Sequence, residues 1–155
     1  MLLLLLLPAG LVTAFGLAGH GFSLLGRAGL RRTGRDARLR VLAALLGGAA
    51  AALYTWGLLL VAGAVLEAED GGTDSSPLRP CRIPGQEERA QHVVDYSVSY
   101  VPLRFVCETT GGGSYAAESV PGYVNPAVLG FALAAVVSAG AATLESERRA
   151  RTHPG

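Results

Sequence analysis

Three long stretches of this chain carry no acidic or basic residue, and they limit its fold more than any other feature: Leu2 to Gly26, Val41 to Leu66 and Val124 to Leu144. An α-helix rises about 1.5 Å per residue, so about 20 residues cross a hydrocarbon core about 30 Å thick. All three are long enough, and the second has length to spare for tilt. Each contains Gly, and the first contains Pro8, which helices in lipid tolerate. The expected fold is an all-α membrane protein with transmembrane helices over 1–26, 41–66 and 124–144 and a small disulfide-tied, β-containing extracytoplasmic domain over 67–123.

Composition agrees with a lipid environment. Charged residues make up 16% of the chain, against roughly 25% in soluble domains. Ala and Gly, at 25 and 21 positions, give little apolar area each, so a water-soluble core would be thin. All 13 cationic residues are Arg, and without Lys neither a P-loop nor Schiff-base catalysis is available. A net charge of +1 supplies no basic face for nucleic acid, which is not expected as a partner.

The polar segments fix an expected orientation. Residues 27–40 carry Arg27, Arg31, Arg32, Arg35, Arg38 and Arg40 against Asp36 alone. Residues 67–123 carry nine acids and four Arg, and 145–155 carry Arg148, Arg149 and Arg151 against Glu145 and Glu147. Short Arg-rich loops stay in the cytoplasm, whereas long segments translocate largely regardless of charge. The expected arrangement in the cell (plasma) membrane is multi-pass, with the N-terminus outside, the 27–40 loop inside, 67–123 outside and the 145–155 tail cytoplasmic. The six Arg of the loop are expected to meet anionic lipid headgroups, at about 1 kcal/mol each. A cleaved signal peptide is the rival reading of the first stretch. Such a peptide needs cationic residues before its apolar run, and here they follow it, which favours a retained helix.

Within the long external segment, Val94, Tyr96, Val98 and Tyr100 alternate with polar residues, the period-2 pattern of a half-buried strand. Pro102 interrupts it, so Leu103 to Cys107 reads as a second short strand. Gly111 to Gly113 supplies a turn, and Ser114 to Val120 reads as a return strand. So small a sheet needs outside support. Cys81 and Cys107, the only cysteines, lie on the oxidising side, and a bridge would contribute roughly 3.5 kcal/mol in the chain-entropy model. Redox chemistry is the sharper alternative, but the pair is not Cys-x-x-Cys and no second pair exists to receive electrons. A metal site using Cys81, His92, Asp95 and Cys107 is disfavoured, because His92 and Asp95 three apart in a strand point to opposite faces; no metal or cofactor is expected. Asn125 before Pro126 reads as the N-cap of the third helix, and Tyr123 as a headgroup-level anchor.

The run Pro102-Leu103-Arg104-Phe105-Val106-Cys107, then Tyr115, then Pro121-Gly122-Tyr123-Val124-Asn125-Pro126, with Pro80-Cys81 upstream, resembles a pattern in small uncharacterised integral membrane proteins of actinobacteria. The resemblance covers roughly residues 77 to 130. It implies a membrane protein with a disulfide-tied external loop and supplies no activity.

Small residues recur four apart in the helices, as at Gly130, Ala134 and Ser138, but no more often than their abundance alone produces. Close helix packing is expected without a specific dimer face. Tyr54, Thr55 and Trp56 fall near the middle of the second stretch and read as internal hydrogen bonding and space filling rather than as interfacial anchors. No charged residue falls inside a proposed span, which disfavours an ion or proton pathway. Hydrolase, zinc-protease and dinucleotide motifs are absent. The expected function is that of an accessory or interaction protein rather than an enzyme, whose partners are the lipid bilayer and a larger membrane complex or its own homo-oligomer. The alternatives are a membrane thiol–disulfide redox partner or a subunit of an oligomeric channel or carrier.

Overall fold

A computed structural model of the chain describes residues 2–28, 34–72 and 76–152, with Arg27 and Ala28 described by backbone alone. In chain order the elements are α1 (Leu2–Ala28), α2 (Arg35–Glu69), a 3-10 turn (Arg79–Cys81), α3 (Glu87–Gln91), β1 (Val93–Tyr100), β2 (Leu103–Thr109), β3 (Ser114–Ala116) and α4 (Val124–Thr152). Helices α1, α2 and α4 are each long and apolar enough to cross a membrane. The strands form one antiparallel sheet in the order β1-β2-β3.

The helices outrun their apolar stretches. α2 starts at Arg35 rather than Val41 and ends at Glu69 rather than Leu66, while α4 continues past Leu144 to Thr152. Absence of charge marks what lipid tolerates, but helix propagation depends on propensity, and Arg, Glu, Leu and Ala are all good formers. Much of what reads as an Arg-rich loop is therefore helical: Arg35, Arg38 and Arg40 occupy the first turns of α2, and Arg27 lies in the last turn of α1. Arg31 and Arg32 lie outside the described residues.

The chain divides into two compact units, one of Pro8–Thr55 with Pro126–Gly155, the other of Met1–Leu7 with Trp56–Asn125. In the first, α1 meets α2 backbone to side chain. A Cβ on Gly48 would stand 3.3 Å from Ala18 N and 3.5 Å from Ala14 O, so only glycine allows this approach without displacement. A Cβ on Gly10 would collide with the Thr55 hydroxyl. That hydroxyl is buried and donates to Ala51 O at 2.7 Å, and Ser138 repeats the device on Ala134 O at 2.7 Å. Internal bonding is thus how Thr55 is satisfied, as its position predicts. Asp36 at the start of α2 pairs with Arg149 near the end of α4 at 3.1 Å. With the Arg149 side chain 50% and that of Asp36 25% exposed, this pair is worth about 0–1 kcal/mol and matters more for matching the two polar ends than for stability.

The second unit holds the sheet against the last turns of α2. Leu58, Val61, Ala64 and Ala68 recur at helical spacing and are buried, as are Leu103, Phe105 and Cys107 on alternate positions of β2. Around Ala64, Ala68 and the cysteines gather Leu78, Val93, Tyr96 and Tyr115. Tyr96 stacks on Phe105 with ring centroids 4.9 Å apart. Gly111 and Gly112, at φ of 91° and 80°, turn β2 toward β3 in a region where a side chain would be strained. The third strand stops at Ala116 rather than running on to Val120.

One strand face differs from simple alternation. Val93 pairs with Thr109 and Asp95 with Glu108, which leaves Val94 as an extra residue in a β-bulge. Tyr96, opposite Cys107, keeps the inward face, but Val93 rather than Val94 joins it, and Val94 is 65% exposed.

Candidate functional site

Cys81 and Cys107 are joined in a disulfide, and both residues are wholly buried. Cys81 ends the 3-10 turn begun by Arg79-Pro80, while Cys107 points inward from β2, so the bond ties the entry segment to the middle strand. Tyr115, opposite Cys107 on β3, donates its hydroxyl to Cys81 O at 2.7 Å. Burial holds the Tyr115 hydroxyl above its ordinary pKa, opposed by the Arg89 guanidinium, which lies 5.9 Å from the ring centroid. The sulfurs are thereby walled off from solvent thiols.

Two further ties fasten the sheet to helices. Tyr96 donates its hydroxyl to the Glu69 carboxylate at the end of α2. This bond, with partial burial and the neighbouring charges of Glu69 and Asp95, pushes the Tyr96 pKa up to about 12. At the other end, Asn125 does not act as an N-cap. Its Oδ1 accepts from Leu103 N at 2.8 Å and its Nδ2 donates to Leu103 O at 3.1 Å. The physical reason lies in the sheet. Strand β3 pairs with Val106, Cys107 and Glu108 only, Ala117 N reaches Phe105 O at 2.8 Å, and the backbone of Leu103 is left for a side-chain amide to complete. α4 itself begins one residue earlier, at Val124, with Pro126 still in the first turn where its missing N–H costs nothing.

The opposite face of the sheet is polar. Asp95, Ser97 and Ser99 on β1 lie across from Glu108, Val106 and Arg104 on β2, and Asp95, Ser97 and Arg104 are exposed. Beside the sheet, an open cleft of about 360 Å³ is lined by Glu88, Arg89, His92 and Tyr115 among others. His92 Nδ1 lies 2.7 Å from Glu88 O, and the Cys sulfurs are committed to each other. Among the described residues no three His, Cys, Asp or Glu side chains gather as a metal site would require. Near α3, Glu87 accepts a bond from Gly85 N at 3.0 Å, and this backbone bond chiefly lowers its pKa.

The Arg candidates fall in the other unit. Arg35 and Arg38 line an open cleft of about 420 Å³ together with Arg148 and Glu145, over Leu39, Ala141 and Leu144. Three Arg and three apolar residues, with one carboxylate among them, have the chemistry to hold a phosphate with a hydrocarbon tail. Arg148 is the member missed in sequence; extending the α4 periodicity beyond Leu144 puts it on the face of Ala141 and Leu144. Arg40 lies two residues beyond Arg38 on α2, about 200° round the helix.

No protein-family model, curated protein or solved structure matches this chain.

Proposed function

We propose that the chain is a multi-pass plasma-membrane protein of the kind its resemblance implies, with its N-terminus and sheet outside and its Arg clusters and C-terminal tail inside. It acts by interaction, as an accessory subunit of a larger membrane complex or as a homo-oligomer. Arg35, Arg38 and Arg148, with Arg27, Arg31, Arg32 and Arg40, meet anionic headgroups on the cytoplasmic side at about 1 kcal/mol each.

One observation carries this reading. The sheet's inner face is locked to α2 by a buried disulfide core, while its outer face offers exposed Asp95 and Ser97. A scaffold rigid behind and polar in front suits presentation to a partner. Full burial of both cysteines weighs against thiol exchange, for which a sulfur must be reached by an attacking thiolate. A reduction potential below about −300 mV is expected, whereas one above about −200 mV would favour the redox role.

The direct test places a photo-crosslinking residue at Ser97 in native membranes. A discrete adduct is expected, and it disappears when Cys81 and Cys107 are both replaced. Recovery of the uncrosslinked monomer alone contradicts the proposal.

A further inference from the structure

Apolarity alone carries the second span up to Leu66, but residues around Gly57 put the membrane boundary lower. A Cβ on Gly57 would stand 2.7 Å from Leu103 Cδ2 and 3.1 Å from Val124 Cγ1, so α2, the start of β2 and the start of α4 meet at one level. Asn125 grips the backbone of Leu103 at the same place. The residues flanking this junction are apolar or aromatic and exposed: Trp56 at 51%, Val101 at the hairpin tip at 89%, and Tyr123 at 60%. Arg104, next to Leu103, is also exposed, on the sheet's polar face.

These side chains belong to a bilayer interface. Trp and Tyr concentrate at headgroup level, and a guanidinium pairs with phosphate there, whereas Arg in hydrocarbon costs several kcal/mol. Helix length agrees. From Arg40 to Trp56, α2 rises about 24 Å, and from Tyr123 to Glu145 the chain rises about 33 Å, which bracket a core about 30 Å thick. Carried to Leu66, the uncharged part of α2 would rise about 39 Å. Leu59, 47% exposed and one turn above Trp56, falls within the headgroup layer, and Leu66 is a single exposed leucine of the ordinary kind.

We propose that the bilayer interface on the sheet's side lies at the level of Trp56, Val101 and Tyr123. The β1–β2 hairpin tip rests in that interface with Arg104 against lipid phosphate, and the last turns of α2 stand above the hydrocarbon as the sheet's support. The proposed orientation enters only in naming the leaflet as the outer one; depth is measured separately from partners, so either reading can fail alone.

Trp56 is the only tryptophan, so its emission reports depth without interference. The full chain is placed in phospholipid vesicles whose acyl chains carry bromine either near the headgroup or near the chain end. A greater loss of Trp56 emission with the shallow bromines is expected, and a greater loss with the deep bromines overturns the proposal. In a second variant, Trp56→Phe with Val101→Trp, emission falls with shallow bromines and resists aqueous iodide. Quenching by iodide without loss to bromolipid overturns it.

Discussion

At Gly57 a single hydrogen atom separates a packed junction from a collision. Gly57→Ala forces its Cβ against Leu103, whose side chain is wholly buried. Overpacking of this kind costs about 1–3 kcal/mol, and a lowered thermal midpoint in detergent measures it; an unchanged midpoint would mean that Leu103 has room to move. Asn125→Ala leaves the N–H and C=O of Leu103 unpaired at this junction, with an expected loss of about 1–3 kcal/mol and faster amide exchange at Leu103. Tyr96 gives a pH signature. Its hydroxyl must keep its proton to donate to Glu69, and its pKa is raised from 10.0 to about 12. The stability it contributes is complete below its ordinary pKa and is lost as pH rises through about 12. An ultraviolet titration of tyrosinate formation should show a late step that Tyr96→Phe removes; persistence of the full step in the variant rules out the Glu69 tie as its source.

Among the elements, what the sequence made legible is what depends on pattern. Three uncharged stretches announced α1, α2 and α4, alternation around Tyr96 announced β1, and the break at Pro102 announced β2. The misread details depend on tertiary partners. The bulge at Val94 has no composition signature, and the need for Asn125 at Leu103 arises only because β3 ends short of it. Helix ends were missed because charged residues continue a helix as well as apolar ones do, which also hid Arg148 as the neighbour of Arg35 and Arg38. Trp56 is half exposed rather than enclosed, a point that hydropathy, blind to where the sheet docks, could not register. The cysteine pair was legible because the chain offers only one pairing and the sheet needs a staple. Replacing both cysteines by Ser should remove roughly 3.5 kcal/mol from the sheet unit. Amide exchange should accelerate across β1 and β2 while α1 and the first half of α2 remain protected; equal loss of protection everywhere would show that the sheet and the helices unfold as one.

For the molecule as a whole, the two units carry different charge. Asp36 and Arg149 gather the start of α2 with the end of α4, beside the cleft of Arg35, Arg38 and Arg148, whereas the disulfide and the acidic segment belong to the sheet unit. In the proposed arrangement the guanidinium end faces the cytoplasm and the sheet faces out. Thiol labelling of intact cells tests that arrangement directly, because the native cysteines are bonded to each other and stay silent toward maleimide. The account predicts that an impermeant maleimide labels Ser97→Cys from outside and reaches Ala150→Cys only after permeabilisation. Labelling of Ala150→Cys in intact cells, with Ser97→Cys protected, would contradict it.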